Sequence, residues 1–248
     1  MLFRSVSQSR YGVVTLILVM SVAMVCCAIL GIVIERVAYR PLRQSPKINA
    51  LITSIGVSLL LEYGGQLVLG PDPQPFPELI RNTPLLNRSY LVLGSIPVLV
   101  LGLALGLMVV MHWIIQKTKI GMAVRAVSQH QPAAQLMGIS VDRVVMFTFA
   151  VGSALAAAGG ILYALLYPSI NPLMGIFPGL KAFIAVVLGG IGSIPGAVAA
   201  GFLIGMIETL VTGYISPTYR DAIAFVILVA VLLFKPSGLF GKTGHEKV

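Results

Sequence analysis

The apolar and polar positions of this chain form long apolar runs separated by short polar segments. A helix needs about 20 mostly apolar residues to cross the hydrocarbon core of a bilayer. Runs of that length are Tyr11–Ile34, Ile48–Leu69, Tyr90–Gln116 and Val144–Tyr167, and a shorter run is Asp221–Phe234. The pattern therefore predicts an all-α protein, a polytopic bundle of transmembrane helices.

Basic residues are concentrated in three of the polar segments. Residues 36–47 carry four Lys and Arg, residues 117–143 carry four and residues 235–248 carry three. Cytoplasmic loops of membrane proteins carry an excess of Lys and Arg, so we expect these three segments in the cytoplasm. The outer side is then expected to hold residues 70–90, 168–180 and 209–221.

The apolar stretch 182–207 is long enough to cross the membrane, but a glycine-rich run interrupts it at Gly189–Gly196. A single crossing here would place the basic tail outside. We therefore predict a broken pair of half-helices that enters and returns, hinged at Gly189–Gly196. The alternative is one helix that is kinked at Pro195. Irregular backbone in a membrane must be surrounded by protein or line a watery cavity, so the hinge is expected at the functional centre or in a tight helix contact.

The composition agrees with a membrane protein and excludes most soluble functions. Of the 248 residues, 57% are hydrophobic and 10% are charged, and the mean hydropathy is +0.97. Ordinary soluble domains carry about 25% charged residues. The net charge of +9 does not indicate nucleic-acid binding, because the positive charges lie between apolar runs. Cys26 and Cys27 are neighbours inside the first run, where we expect small apolar filler.

The sequence patterns of catalysis and cofactor binding are missing. The chain contains neither H-E-x-x-H nor G-x-S-x-G, and His112, His130 and His245 are far apart. Gly241-Lys242-Thr243 resembles the end of a phosphate-binding loop, but Pro236 stands in the place of its first glycine. We therefore expect no catalytic residue, no metal site and no cofactor.

The largest cytoplasmic segment, residues 117–143, is more than a linker. We predict a short helix over Met122–Gln129. A second helix is predicted to begin at Pro132 and to end at Gly138, because proline is favoured at the first helical position and glycine after the last. Ala133–Met137, between them, are small and apolar although expected to face water, which indicates a docking surface. The alternative is a helix that is tucked against its own bundle.

Specific motifs are distributed along most of the chain. They are Ile34–Arg43, Ala50–Gly56, Ala134–Ile139, Asp142–Val144, Ile170–Pro172, Gly179–Phe183, Leu188–Ala197, Lys235–Gly241 and Glu246–Val248. With them, residues 13–248 resemble the branched-chain amino acid (Liv-type) permease family of ABC importers, specifically its shorter permease subunit.

This resemblance implies a multi-pass subunit in the inner membrane of a bacterium that translocates branched-chain amino acids by alternating access. It implies a second homologous permease subunit, two ATP-binding cassette ATPase subunits and a periplasmic or extracellular substrate-binding protein as partners, besides the lipid bilayer and without nucleic acid. ATP would be hydrolysed on the partners, so this chain is expected not to be an enzyme. The expected ATPase-docking residues are Gly121, Arg125, Pro132, Ala133, Ala134, Leu136, Gly138 and Asp142.

Two carboxylates stand in apolar surroundings, where a charge costs about 2.5–3.5 kcal/mol on insertion scales. Glu62 lies 15 residues after Lys47, and Glu208 has Lys181 as a possible partner. In a zwitterionic substrate the ammonium would meet such a carboxylate, and half-helix N-termini would meet the substrate carboxylate. The alternative is that both glutamates steady the fold at the outer interface. The residues expected along the pathway are Glu62, Gly189, Gly190, Gly192, Ser193, Gly196 and Glu208.

The chain departs from the family pattern in three places. The family begins with further apolar segments before the position of Tyr11, and residues 1–10 resemble nothing in it, so we set them apart from a single permease domain at 11–248. His130 stands where the docking loop usually has an acidic residue, and the outer loop 71–90 is shorter than in some relatives.

Two alternative functions remain open at this point. One is a permease of the same class for urea, short amides or aromatic acids. The other is a self-contained channel or secondary transporter, which would need only an ion gradient and no ATPase partner.

Overall fold

The computed structural model describes residues 2–43, 45–77, 84–88, 91–234 and 238. The described chain is almost entirely helical, as predicted. Its α-helices are α1 (Leu2–Ile34), α2 (Lys47–Leu69), α3 (Ser95–Lys117), α4 (Lys119–Gln129), α5 (Gln131–Leu136), α6 (Val141–Leu166), α7 (Ile176–Gly189), α8 (Ile194–Tyr214) and α9 (Arg220–Phe234). Apart from Gly238, the basic tail 235–248 lies outside the described residues.

Two short antiparallel strand pairs accompany the helices. β1 (Gln74–Pro75) pairs with β4 (Ser169–Ile170), and β2 (Pro84–Arg88) pairs with β3 (Leu91–Gly94). The first pair joins the segment after α2 to the segment after α6. Both segments are expected on the outer side, so this pairing agrees with the orientation that the charges predict.

The predicted membrane runs lie on helices, except that the run Tyr90–Gln116 includes strand β3 (Leu91–Gly94) and its helix begins at Ser95. Among the described residues, five helices are long and apolar enough to cross a membrane: Gly12–Leu42, Ile48–Leu69, Ser95–Lys117, Val141–Leu166 and Ile194–Tyr214. The apolar stretches Ile176–Gly189 and Ala222–Val231 are shorter. The polytopic helical class is therefore confirmed.

Large apolar side chains cover the outside of these helices. On α2, Leu60, Leu67 and Val68 are 71%, 88% and 83% exposed. Contact of such a surface with water would be unfavourable by about 25 cal/mol per Å² of apolar area. Lipid removes this penalty, so the exposed apolar faces indicate a bilayer around the helices.

The chain divides into two compact units, Met1–Leu173 and Met174–Val248. In the first unit, Leu16 of α1 packs with Leu162 and Leu165 of α6, and side chains of α3 complete this core. Further along, α1 approaches α6 at Gly31, where a Cβ atom would lie 2.8 Å from the Cβ atom of Ser153. Glycine is therefore required for this contact between α1 and α6.

The second unit is built on an antiparallel pair of helices. The backbones of Gly189 and Gly196 touch, so that a Cβ atom on either would overlap the other. Further from the turn, Ala185 of α7 lies beside Gly201 of α8, and α9 adds Ala224 to the same core. The interrupted run is therefore a helical hairpin with a tight helix contact, and a single kinked helix is excluded.

The second arm of the hairpin is longer than we predicted. Helix α8 has 21 residues, the length of a full membrane span, whereas α7 has 14. Only α7 therefore has the length of a half-helix.

The turn of the hairpin is formed by Gly190 and Gly192, with φ angles of 96° and 97°. The hydroxyl of Ser193 accepts a hydrogen bond from the Gly196 N–H at 3.2 Å and caps α8. Gly238 packs on the turn, because a Cβ atom there would lie 2.5 Å from the Cα atom of Gly190. The turn therefore lies beside the segment that follows α9, at the end of this unit that the charge pattern assigns to the cytoplasm.

We predict that Gly192→Ala destabilises the second unit, although a Cβ atom at this position would meet nothing within 4 Å. The cause is the positive φ, which strains a residue with a side chain by about 1–3 kcal/mol. Gly205→Ala is the matched control: it also has open space, but it lies within α8, where alanine is favoured over glycine by about 1 kcal/mol. Thermal unfolding in detergent should show a lower midpoint for Gly192→Ala and an equal or higher one for Gly205→Ala. Equal midpoints for wild type and Gly192→Ala would contradict the strained turn.

Candidate functional site

The loop 117–143, which the charge pattern assigns to the cytoplasm, begins with helix α4. This helix is held against the end of α3. The hydroxyl of Thr118 accepts a hydrogen bond from the Gly121 N–H at 3.1 Å. Gly121 is buried, and a Cβ atom there would overlap the carbonyl groups of Ile114 and Ile115. A larger residue at Gly121 would therefore push α4 away from α3.

Arg125 adds a polar contact between the same two helices. Its guanidinium donates to the side-chain oxygen of Gln116 at 2.5 Å. The expected contact of Arg125 with the ATPase stays a prediction, and within the chain Arg125 is bound to Gln116. Its first role is therefore to fix the position of α4.

Helix α5 follows at the place that the sequence predicted. Pro132 is its second residue, one position later than expected. Gly138 ends it with a φ of 80°, and the Ile139 N–H donates to the Ala134 carbonyl at 3.0 Å. The predicted left-handed C-terminus at Gly138 is confirmed.

The exposure of α5 differs from the expectation. Leu136 and Met137 are 89% and 83% exposed, whereas Ala134 is 4% exposed. We expected Ala133 and Ala134 to form one small face toward a partner, and for Ala134 this is wrong. A helix of six residues that packs on α4 and α6 buries one side, and Ala134 lies on that side. The large apolar side chains exposed here are Leu136 and Met137, and both belong to the segment Ala133–Met137 that the sequence indicates as a docking surface.

Asp142, the second residue of α6, binds two arginines of the preceding cytoplasmic segment. Its Oδ2 atom accepts from Arg40 at 2.7 Å, and its Oδ1 atom pairs with Arg43. Arg43 also pairs with Glu35, whose side chain is 1% exposed. Contact of Asp142 with the ATPase stays a prediction, because its carboxylate binds both arginines and is still 49% exposed. These ion pairs also bring two of the basic segments to the same end of the first unit.

In the second unit, Glu208 is held by cations from two other helices. Lys181 of α7 lies 2.9 Å from its Oε1 atom, and the Nε atom of Arg220 of α9 lies 3.2 Å from its Oε2 atom. The predicted pair with Lys181 is confirmed, and the sequence analysis missed Arg220. Because the 7% exposed carboxylate is already neutralised, the geometry favours a brace between α7, α8 and α9 over a free ammonium site.

Glu62 stands apart from these ion pairs on α2, in the first unit. Its Oε1 atom accepts a hydrogen bond from the Ser58 hydroxyl at 2.8 Å. It forms no ion pair within the described part of the chain. In the membrane-spanning part of the first unit, Glu62 is therefore the carboxylate that still requires a partner or a wet surface.

The fold defines a multi-pass membrane protein, and its loop 117–143 carries a braced helix with an exposed apolar end. Residues 1–232 match the family described as "Branched-chain amino acid transport system / permease component", and the chain belongs to this family. The match includes residues 1–10, which the sequence analysis had set apart.

Curated relatives agree with this family. The chain is 39% identical to the high-affinity branched-chain amino acid transport system permease protein LivH of Escherichia coli K12, over 91% of this chain and 74% of the relative. It is 36% identical to the corresponding permease protein BraD of Pseudomonas aeruginosa, over 88% and 72%. The ribose import permease protein RbsC of Haemophilus influenzae is 36% identical over 48% of this chain and 40% of its own length. No solved structure was found to match the chain.

We predict that Ala134→Trp destabilises the first unit, because a packed site does not accept that volume without about 1–3 kcal/mol of strain. Ala133→Trp is the matched control, since the neighbouring Ala133 is exposed on the same helix. Thermal unfolding of the isolated chain in detergent measures both variants without any partner. A midpoint for Ala134→Trp equal to that of Ala133→Trp would contradict the burial of Ala134.

Proposed function

We propose that this chain is the membrane-spanning permease subunit of an ABC importer that carries branched-chain amino acids across the bacterial inner membrane. The observation that carries the proposal is the identity of 39% over 91% of the chain to a relative that is named for this transport. Transport proceeds by alternating access: ATP is hydrolysed on two partner ATPase subunits, and the resulting movement reaches this chain through its cytoplasmic loop.

The geometry supports this mechanism at the loop. Helices α4 and α5 are braced on α3 and α6, so that a force applied at the exposed side chains Leu136 and Met137 is passed to the membrane helices. Apolar side chains that are more than four-fifths exposed at a cytoplasmic surface are unfavourable until a partner covers them. A groove in the ATPase is the partner that the proposed mechanism requires.

The remaining partners follow from the same proposal. A second, homologous permease subunit completes the pathway, and an external binding protein delivers the substrate. No residue of Ile48–Leu69 or Ser95–Lys117 is buried within this chain, so surface is available for lipid and for the second subunit. We propose that Glu62 and the residues of the hairpin turn (Gly189, Gly190, Gly192, Ser193 and Gly196) face the translocation pathway.

The substrate is tested by uptake of radiolabelled leucine into proteoliposomes that contain the chain with its second permease subunit and ATPases, and with the binding protein added. We expect uptake that requires ATP and the ATPases. Uptake driven by an ion gradient without ATPases would instead support a secondary transporter. ATP-dependent uptake of urea or phenylalanine without leucine would support the alternative substrates.

We predict that Leu136→Glu weakens ATPase binding about tenfold or more, because a charge replaces an apolar anchor in the centre of the interface. Gln135→Glu is the matched control: it places the same charge on the neighbouring exposed position and removes no apolar contact. Both variants should insert and unfold like the wild type. The measurement is the ATPase concentration that half-saturates the detergent-solubilised permease pair. Equal values for the two variants would show that Leu136 does not lie in the docking interface.

A further inference from the structure

Four charged residues form a continuous chain of ion pairs at the cytoplasmic end of the first unit. The order is Glu35, Arg43, Asp142 and Arg40, with alternating charge. Arg43 is the central member, because one of its terminal nitrogens binds Glu35 and the other binds Asp142. Its side chain is 21% exposed and that of Glu35 is 1% exposed. We call these four residues the charged clamp.

The charged clamp connects two parts of the chain that are distant in sequence. Glu35 begins a π-helical turn, Glu35–Tyr39, that continues α1, and Arg40–Leu42 follow as a 3₁₀ turn. π-Helical turns are rare in proteins, and those that occur often lie at functional sites. Asp142 lies in the first turn of α6, on the other side of the docking loop. The clamp therefore joins the α1–α2 connection to the helix that follows α5.

Two further contacts extend the interface between the end of α1 and α6 from the clamp into the membrane. The ring of Tyr39 lies on that of Phe149, with centroids 4.9 Å apart. Beyond it, Gly31 allows α1 to touch α6 at Ser153. From the clamp to Gly31, the end of α1 and the first part of α6 are therefore in continuous contact.

Helix α5, the proposed docking helix, acts on one end of this interface between α1 and α6. Helix α5 packs on α6, and Asp142 follows α5 after a short connection. A displacement of α5 moves the start of α6 directly, but it reaches α1 and α2 through the charged clamp. The π-helical turn also contacts α2, so the same connection serves both helices.

We propose that Arg43 is a positioning residue for transport: it makes the α1–α2 connection and the start of α6 move as one body when the ATPase displaces the docking helix. This inference rests on the proposed function, since it requires an ATPase at the loop. Arg43 touches neither substrate nor ATP in this role. Its loss should reduce the amount of substrate moved per ATP hydrolysed, which a merely structural residue would not change.

The first experiment measures leucine uptake and ATP hydrolysis by the same reconstituted importer. For Arg43→Gln we expect the leucine-to-ATP ratio to fall about fivefold or more, the lower end of measured couplings between sites. Arg36→Gln is the matched control, because it removes the same charge from the same segment, and Arg36 is exposed without an ion pair in the described part of the chain. Its ratio should equal that of the wild type.

The second experiment replaces the ion pairs by a covalent link. The variant carries Arg40→Cys and Asp142→Cys with Cys26 and Cys27 changed to Ala, and a short bifunctional thiol reagent joins the two new cysteines. We expect a low leucine-to-ATP ratio before the reaction and a ratio near that of the wild type after it. These two measurements, before and after cross-linking, also test the proposal if the Arg43→Gln subunit does not assemble with its partners.

The outcomes separate this inference from the proposed function. A wild-type complex without ATP-dependent leucine uptake would overturn the proposed function. Wild-type uptake together with an unchanged ratio in Arg43→Gln would overturn the role of Arg43 alone. Loss of uptake on cross-linking would also overturn it, because the two segments would then have to separate during transport.

Discussion

Close backbone contact at glycine is the interaction on which both units of this protein depend. In a bilayer, apolar side chains gain little free energy when they leave lipid for a helix contact. Helices therefore associate through tight packing of small residues. Gly31 allows α1 to touch α6, and the pair Gly189 and Gly196 allows α7 to touch α8. The proposed docking loop, residues 117–143, uses the same device, since Gly121 lets α4 rest on the end of α3.

Ion pairs at the ends of helices complement these glycine contacts. Each unit holds a nearly buried carboxylate that is paired with a cation from another segment. Glu35 pairs with Arg43 of the connection after α1, and Glu208 pairs with Lys181 of α7 and Arg220 of α9. A buried charge without a partner is strongly destabilising, whereas a paired one fixes which helix ends lie together. The polar contacts therefore set register at the ends of helices, and the small residues set the distance between helix axes.

The loop 117–143 combines both kinds of contact, which suits the transmission of force that we propose for it. Gly121 and Arg125 fasten α4 to α3, burial of Ala134 fastens α5 to its own unit, and Asp142 fastens the start of α6 to the segment after α1. The most exposed large apolar side chains of the loop are Leu136 and Met137, at the end of α5. A rigid support that carries a small apolar surface agrees with the proposed movement of the membrane helices by a partner ATPase.

The sequence by itself determined the membrane spans, the hairpin at Gly189–Gly196, the position of α5 along the chain and the family. Each of these depends on local properties: the length of an apolar run, the backbone freedom of glycine and the preference of proline for the start of a helix. Tertiary structure decided which of Ala133 and Ala134 faces solvent, and it placed Arg40 and Arg43 on Asp142, 102 and 99 residues away. It also placed Arg220 beside Glu208 and brought the turn at Gly190 to Gly238. Such contacts depend on how helices rotate about their axes when they pack, and in an almost uniformly apolar helix the sequence carries no periodic pattern that specifies this rotation.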